Sequence, residues 1–402
     1  MRLRVILFGL AIIGGIALAG YIESGSLHAP SAPEIDTGTA SLETAIKDIE
    51  TGTRTTPLIG DQPRRGMPTV TFLAKADGKD VPRIVSDATG WGERPDGNFD
   101  FNVGKMKRVG GTEWYSLQVK VEPYARIEYL ITYSAGDLRL DPHNPQKVQR
   151  VGGPASEFAM PGYAAPQEFV DPPMRPAGKV TDAILTSPAL GGETRQVIVY
   201  TPPGYKDNGF YPMAVFHDGA SMVNNGEAPR VLDWLITHQA IEPIVAVFVE
   251  PKSRTDDFRR GAPMRKFVTA ELLPWMAEHF SVTKDAGERA VIGVSAGARA
   301  ALDEAANSLE SFNRLGLLIP AIDQNDIDAI PQREKRRLRV SVVVAHYDAL
   351  NLAAGRSVQI MVADRGHAVD YVEVPEGHST ATWRTHLRTV LISLFGVQKP
   401  KT

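Results

Sequence analysis

The chain has no cysteine among its 402 residues. That excludes disulfides, thiolate-held metal sites, iron–sulfur ligation, a cysteine nucleophile and acylation of an N-terminal cysteine. Charge of one sign is also missing: Lys+Arg 44 against Asp+Glu 47 leaves −3. No whole-chain field therefore exists to draw in nucleic acid. Aromatic residues make up 7% of the chain, too few to argue a dedicated aromatic groove from composition. What is present is ordinary globular material, 43% hydrophobic and 23% charged. Gly 36 and Pro 29 add turns without collagen-like or disordered character. At about 150 residues per domain, the length suggests two or three domains.

A single long apolar run stands at the start. Met1-Arg2-Leu3-Arg4 is basic, residues 5–19 are almost wholly apolar, and Ala17-Leu18-Ala19 supplies a small-x-small site. This order reads as a signal peptide over 1–19, cut after Ala19. It is short for a spanning helix of about 20 residues, and membrane contact follows only if it stays uncleaved as an anchor. The expected location is a bacterial periplasm or the exterior, where stray thiols would be oxidised.

Residues 20–65 are polar and punctuated, and read as a tether with one short helix at 41–50 capped by Ser41. From Thr69 the hydrophobic period becomes two, with β runs at 114–119 and 127–133 and turns at Asp77-Gly78, Asp96-Gly97-Asn98 and Gly110-Gly111. Residues 66–165 are accordingly expected to form a small β-sandwich. The prolines of 166–180 read as a stiff linker.

Over 181–397, apolar strands alternate with helical patterns. Strands are expected at 196–200, 213–216, 244–249, 290–294, 315–319, 340–345 and 369–374, with helices at 231–239, 265–279, 298–308, 352–364 and 382–394. This alternation predicts an α/β fold with a mostly parallel, doubly covered sheet. Its site should lie outside the carboxyl ends of the strands. The run Arg333-Glu334-Lys335-Arg336-Arg337-Leu338-Arg339 reads as a solvated face.

The strongest chemical signal is Gly293-Val294-Ser295-Ala296-Gly297, a G-x-S-x-G motif between a strand and a helix-forming run. A serine attacks a carbonyl only when held proud of the surface beside a base. A strained strand-to-helix turn does this, with glycines two residues to either side to avoid clashes. A phosphate-cradling loop would need G-x-G-x-x-G or a terminal Lys-Ser/Thr, and neither is present. The base and the orienting acid should follow in the order acid, then histidine. His378, in Pro375-Glu376-Gly377-His378-Ser379, lies in a loop between the last strand and the last helix. His346, His367 and His386 fall in less suitable places. Asp348 follows the strand at 340–345, with Asp323, Asp326 and Asp328 as the alternatives and a helix cap as its other role. The oxyanion needs two N–H donors. Ala296 supplies one, and Gly219 or Ala220, in His217-Asp218-Gly219-Ala220-Ser221, the other.

Phe216-His217-Asp218-Gly219, Glu271-Leu272-Leu273-Pro274, the elbow, Phe312-Asn313-Arg314-Leu315-Gly316, and Gly377-His378 followed by Trp383 resemble the enterochelin-esterase-like branch of the α/β-hydrolases. That branch is itself similar to the carbohydrate esterases that remove feruloyl or acetyl groups. Asp87-Ala88-Thr89-Gly90-Trp91, Trp114-Tyr115 and Asp141-Pro142-His143-Asn144-Pro145 resemble the immunoglobulin-like N-terminal domain that such esterases carry. The resemblance covers about residues 66–396. It implies a serine hydrolase with Ser295 as nucleophile, His378 as base and Asp348 as acid, with no cofactor and no metal. The implied substrate is a small ester, a siderophore or an acylated sugar. Arg254 stands where the family often has an arginine near the substrate, and a surface ion pair is its competing role; Trp383 is a second candidate contact. The sequence departs from the pattern at Ala298, where a second glycine is usual, and at Ala345-His346-Tyr347-Asp348, where a glycine usually begins the motif. The competing functional class is a non-catalytic glycan- or siderophore-binding protein, with Trp91 and Trp114 stacking on a ring. An acyltransferase would share the same three residues.

Overall fold

The computed structural model describes residues 39–397, apart from 64, 93–99, 101, 135, 151–152, 260 and 333–336. The apolar leader, the turn at 96–98 and most of the basic run lie outside the described residues. Among those described, no helix is long and apolar enough to cross a membrane.

The N-terminal part is two antiparallel sheets face to face. One has the order β1-β2-β5-β4 (Leu58–Ile59, Thr69–Lys75, Trp114–Lys120, Lys107–Arg108). The other is β3-β6-β9-β8 (Arg83–Ser86, Arg126–Thr132, Gly153–Ala159, Lys147–Arg150), with β7 (Leu138–Arg139) beside β6. Val70, Phe72 and Ala74 of β2 meet Ile127, Tyr129 and Ile131 of β6 and Phe158 of β9 in one buried cluster. These are alternate positions on each strand, as a two-sheet core requires.

The helix expected within the tether spans Thr39–Glu50. Ser41 therefore lies inside its first turn rather than capping it. Nor does it hang free: Leu42, Ala45, Ile46 and Ile49, spaced for one helical face, pack with Leu58, Leu73, Val109 and Trp114. Trp114 Nε1 donates to Glu50 at 2.9 Å.

The C-terminal part is an eight-stranded sheet of order β10-β11-β13-β12-β14-β15-β16-β17. Its strands are Lys179–Ser187, Glu193–Thr201, Val245–Val249, Met213–His217, Arg289–Val294, Arg314–Leu318, Arg339–Ala345 and Ala368–Val374. β10 and β11 are antiparallel; from β13 to β17 every pairing is parallel. The central strands β12, β13 and β14 are buried along their whole length, because helices cover both faces. One face packs on Gly297–Asn307 and Leu352–Asp364, the other on Ala228–Thr237 and Thr380–Phe395.

Two expectations need correction here. β10 is not among the expected strands: it begins at Lys179, in the last two residues of the stretch read as proline-rich linker, and runs on to Ser187. The helix expected at 265–279 is three successive segments, Ala262–Lys266, Phe267–Leu272 and Leu273–His279, the middle one wound as a π-helix. Pro274 has no N–H to continue an α-helical ladder, and Leu273 N–H reaches Val268 O across the wider turn. Glu271, in that turn, accepts from Ser187 Oγ at 2.5 Å and Ala189 N–H at 2.8 Å, which ties this segment to the end of β10.

Candidate active site

The elbow sits between β14 and the helix Gly297–Asn307. Ser295 adopts φ +51°, a left-handed conformation that an L-residue tolerates only where the surroundings hold it. Its N–H donates to Leu318 O at 3.0 Å, and its carbonyl accepts from Ala321 N–H at 3.0 Å. The glycines are steric necessities. A Cβ on Gly293 would lie 2.2 Å from Gly297 O and 2.6 Å from Ala298 Cα; one on Gly297 would lie 2.9 Å from Asp218 Oδ2. The methyl of Ala298, where a glycine is usual, is fully buried against the sheet.

Ser295 Oγ stands 2.8 Å from His378 Nε2, and His378 Nδ1 stands 2.6 Å from Asp348 Oδ2. One hydroxyl, one imidazole and one carboxylate thus form a continuous hydrogen-bonded chain. Asp348 is almost buried and His378 one-third exposed, so the chain opens to solvent at the serine end. Asn351 fixes the acid: its N–H donates to Asp348 Oδ1 at 3.1 Å, and its Nδ2 reaches Oδ1 at 2.9 Å and Oδ2 at 3.1 Å. The alternative acids are engaged elsewhere. Asp323 caps the helix Gln324–Asp328, and both Asp323 and Asp326 pair with Arg299. The other histidines are held too. His346 lies between Glu122 and Glu373, His367 contacts Leu338 N–H and Pro331 O, and His386 contacts Glu376. His217 is buried against Glu304 at 3.2 Å; burial works against its charge, but Glu304 raises its pKa above the ordinary value.

On the oxyanion side, the N–H groups of Ala296 and Gly219 have no hydrogen-bond partner among the described residues. Ala220 N–H is not free, because it donates to Glu250 Oε2 at 2.5 Å. Of the two loop candidates, Gly219 is the available one. Its missing Cβ would meet Glu250 N at 2.8 Å, so only glycine fits there. Arg254 forms a two-point pair with Asp218, Nε to Oδ1 at 2.5 Å and Nη2 to Oδ2 at 2.9 Å. It braces the loop that ends β12 and abuts Gly297. Trp383 does not face a substrate: it is 6% exposed, and a Cβ on Gly226 would touch its ring at 2.3 Å. The ring lies on the inward face of the last helix. Trp114 is core, while Trp91 has one face covered by Arg150 at 4.0 Å and also lines a cavity of about 480 Å³ in the sandwich.

A depression of about 190 Å³ opens beside the histidine loop, lined by Val148, Gln149, Arg150, Asn224, Asn225, Thr380, Ala381 and Arg384. Its walls come from β8, the end of the helix Gly219–Asn224 and the start of the last helix. Among the described residues no group of three or more His, Asp or Glu side chains is arranged to hold a metal ion.

Sequence reasoning missed a buried charged cluster under the histidine loop. Arg126 of β6 reaches Glu376 Oε2 with Nε at 3.1 Å and Nη2 at 3.0 Å, and its Nη1 contacts Glu128 at 3.2 Å and Glu157 at 2.9 Å. Burial raises the Glu376 carboxyl, yet Arg126 and His386 outweigh it and bring it down to about 2. Asp87 lies next to this cluster, fully buried. Burial, then Glu128, pushes it up to about 7, against the hydrogen bonds from Glu128 N–H and Trp91 Nε1. The available signal was charge at alternate positions 126 and 128 of a strand, which reads as a solvated face.

The eight-stranded topology and the residues at its carboxyl edge define an α/β-hydrolase. The Esterase family model, described as "Putative esterase", matches residues 187–394, more than half of the chain, and the chain belongs to that family. The ferric enterobactin esterase of Salmonella typhimurium superposes with a TM-score of 0.68 at 20% identity, covering 85% of this chain and 97% of that one. The enterobactin esterase of Shigella flexneri, solved in the presence of enterobactin, gives 0.66 at 19% identity, covering 85% and 96%. A ferulic acid esterase of Anaeromyces mucronatus gives 0.50 at 14% identity, covering 58% and 96%. These likenesses are of fold. The uncharacterized protein YbbA of Bacillus subtilis (strain 168) is 25% identical over 120 residues, 26% of this chain. That match spans 47% of the relative's length.

Proposed function

We propose that the protein is an exported serine esterase that cleaves a carboxylic ester through an acyl-enzyme. The observation that carries the reading is the Ser295–His378–Asp348 chain, at 2.8 and 2.6 Å. His378 Nε2 takes the Ser295 proton as Oγ attacks the carbonyl carbon. Asp348 holds Nδ1–H and stabilises the imidazolium that forms. Ala296 and Gly219 N–H groups receive the oxyanion. The tetrahedral adduct collapses, His378 returns the proton to the departing alcohol, and the acyl group stays on Ser295. Water, deprotonated by His378, then attacks the acyl carbon and releases the acid.

The substrate is a polar, oxygen-rich ester, such as a siderophore lactone or an acylated sugar. Support comes from the depression beside the His378 loop, where two guanidinium groups, of Arg150 and Arg384, and three carboxamides, of Gln149, Asn224 and Asn225, suit hydroxyls and carbonyls better than a lipid chain. Export rests on the basic, apolar and small-residue order of residues 1–19. The purified protein is expected to hydrolyse a short p-nitrophenyl ester and to be labelled by a fluorophosphonate. Ser295→Ala should remove both, with a loss of about 10⁴ or more in kcat. An unlabelled wild type would make the chain a binding protein, and equal activity in the variant would end the serine mechanism.

A further inference from the structure

We propose that the β-sandwich sets the geometry of the triad, with Arg126 as a positioning residue for the His378 loop and Glu122 holding the Asp348 loop through Tyr347. The inference rests on the serine-esterase reading and goes further by giving the N-terminal part a role in the chemical step.

The contacts fall on both sides of each reacting side chain. Around His378, Arg126 holds Glu376 two residues before and reaches Ser379 Oγ one residue after, at 3.2 Å. It also approaches Thr382 Oγ1 at 3.4 Å, and that hydroxyl donates to Gly377 O at 2.8 Å. Between them, Gly377 lies flat on the sandwich: a Cβ there would be 1.8 Å from Asp87 Oδ1. Around Asp348, the Tyr347 hydroxyl donates to the Glu122 carboxylate and accepts from Glu122 N–H. His346 Nε2 stands 3.3 Å from the same carboxylate. On the other side, a Cβ on Gly90 would touch Ala349 Cβ at 3.3 Å. The two loops also meet each other, Tyr347 N–H donating to Glu376 O at 3.0 Å.

Arg126 is nearly buried, with side-chain exposure of 7%, and Glu376 has 2%. Such a pair is poor evidence for stability, since its desolvation offsets most of its attraction. It is strong as a geometric constraint, because the planar fork fixes direction as well as distance. Within the α/β part the loop is held by Ser379, which caps the last helix, by Thr382 Oγ1 on Gly377 O and by His386 on Glu376; Arg126 adds a directional constraint from the sandwich. A displacement of about 1 Å at a catalytic group costs about a hundredfold in rate.

The test uses the full chain and measures kcat per fluorophosphonate-titrated site, with KM and the thermal midpoint alongside. Arg126→Met is expected to lower kcat per site by about tenfold to a hundredfold, with KM within about twofold. Arg126→Lys, which keeps the charge but not the fork, should recover part of the loss. If Arg126→Met does not fold because it strands Glu376, the double variant Arg126→Met/Glu376→Met removes both charges and decides. Tyr347→Phe tests the other grip, and a severalfold fall in kcat per site is expected. Per-site kcat within about twofold of wild type in the folded variants would overturn the proposal, whatever happens to stability. Failure of the serine mechanism would show separately, as activity in Ser295→Ala.

Discussion

Asp348→Asn is the substitution that isolates the orienting acid. The carboxylate now accepts from three donors: His378 Nδ1 at 2.6 Å, Asn351 Nδ2 at 2.9 Å and Asn351 N–H at 3.1 Å. Both Asn351 donors meet Oδ1, and His378 meets Oδ2, which Asn351 Nδ2 also reaches at a longer 3.1 Å. An asparagine has one acceptor oxygen, and the two Asn351 donors hold it on their side. Its NH₂ group then faces Nδ1. Two N–H donors cannot share that contact, so the imidazole must take the tautomer protonated on Nε2. That tautomer presents a proton to Ser295 instead of a lone pair. The negative charge facing the imidazolium is lost as well. In serine-protease triads the same change lowers kcat by about 10⁴, which corresponds to about 5.4 kcal/mol of transition-state stabilisation. The side chain keeps its size, so the thermal midpoint should move little. The assay is p-nitrophenyl ester hydrolysis at saturating substrate, normalised to folded protein. A kcat within about tenfold of wild type would mean that Asp348 does not orient the base, and the mechanism proposed above would need another acid.

Gly293→Ala places a methyl 2.2 Å from Gly297 O and 2.5 Å from Gly297 C, both backbone atoms of the elbow. It should cost at least about 3 kcal/mol, read as a lower urea midpoint; an unchanged midpoint would show that the turn has room the geometry denies. Asp87, pushed up to about 7 in the folded protein, binds its proton more tightly there than in the unfolded chain. Its contribution is therefore complete below the ordinary aspartate range and is lost as pH rises through about 7. The stability of wild type relative to Asp87→Asn should fall with rising pH over that window, by up to about 1.4 kcal/mol per pH unit. A pH-independent difference in chemical denaturation would refute the assignment.

Much of the catalytic sheet was legible, for a physical reason. Strands covered on both faces, such as Val245–Val249 and, up to its last residue His217, Met213–His217, are apolar along their length, and such runs stand out in a sequence. β10 did not, because it is an edge strand: most of its residues are exposed, and Lys179 and Asp182 break the pattern. At the site, Ser295 was marked by its flanking glycines, and chain order limited the choice of partners. Trp383 was misjudged because proximity in sequence to His378 says nothing of direction; helical geometry turns the ring inward. Arg126 and Glu376 were invisible for a different reason. Each reads as a solvated charge on its own element, and only the docking of one sheet system on the other buries both.

The depression beside His378 has one wall from β8 and the other from the last helix and the helix ending at Asn224. Its width is consequently a property of neither fold taken alone. A residue that shifts the tilt between the modules would resize the mouth without touching a wall. On the proposal that the ester rests there, selectivity for bulky or slender esters is open to change from positions far removed from the reacting carbonyl.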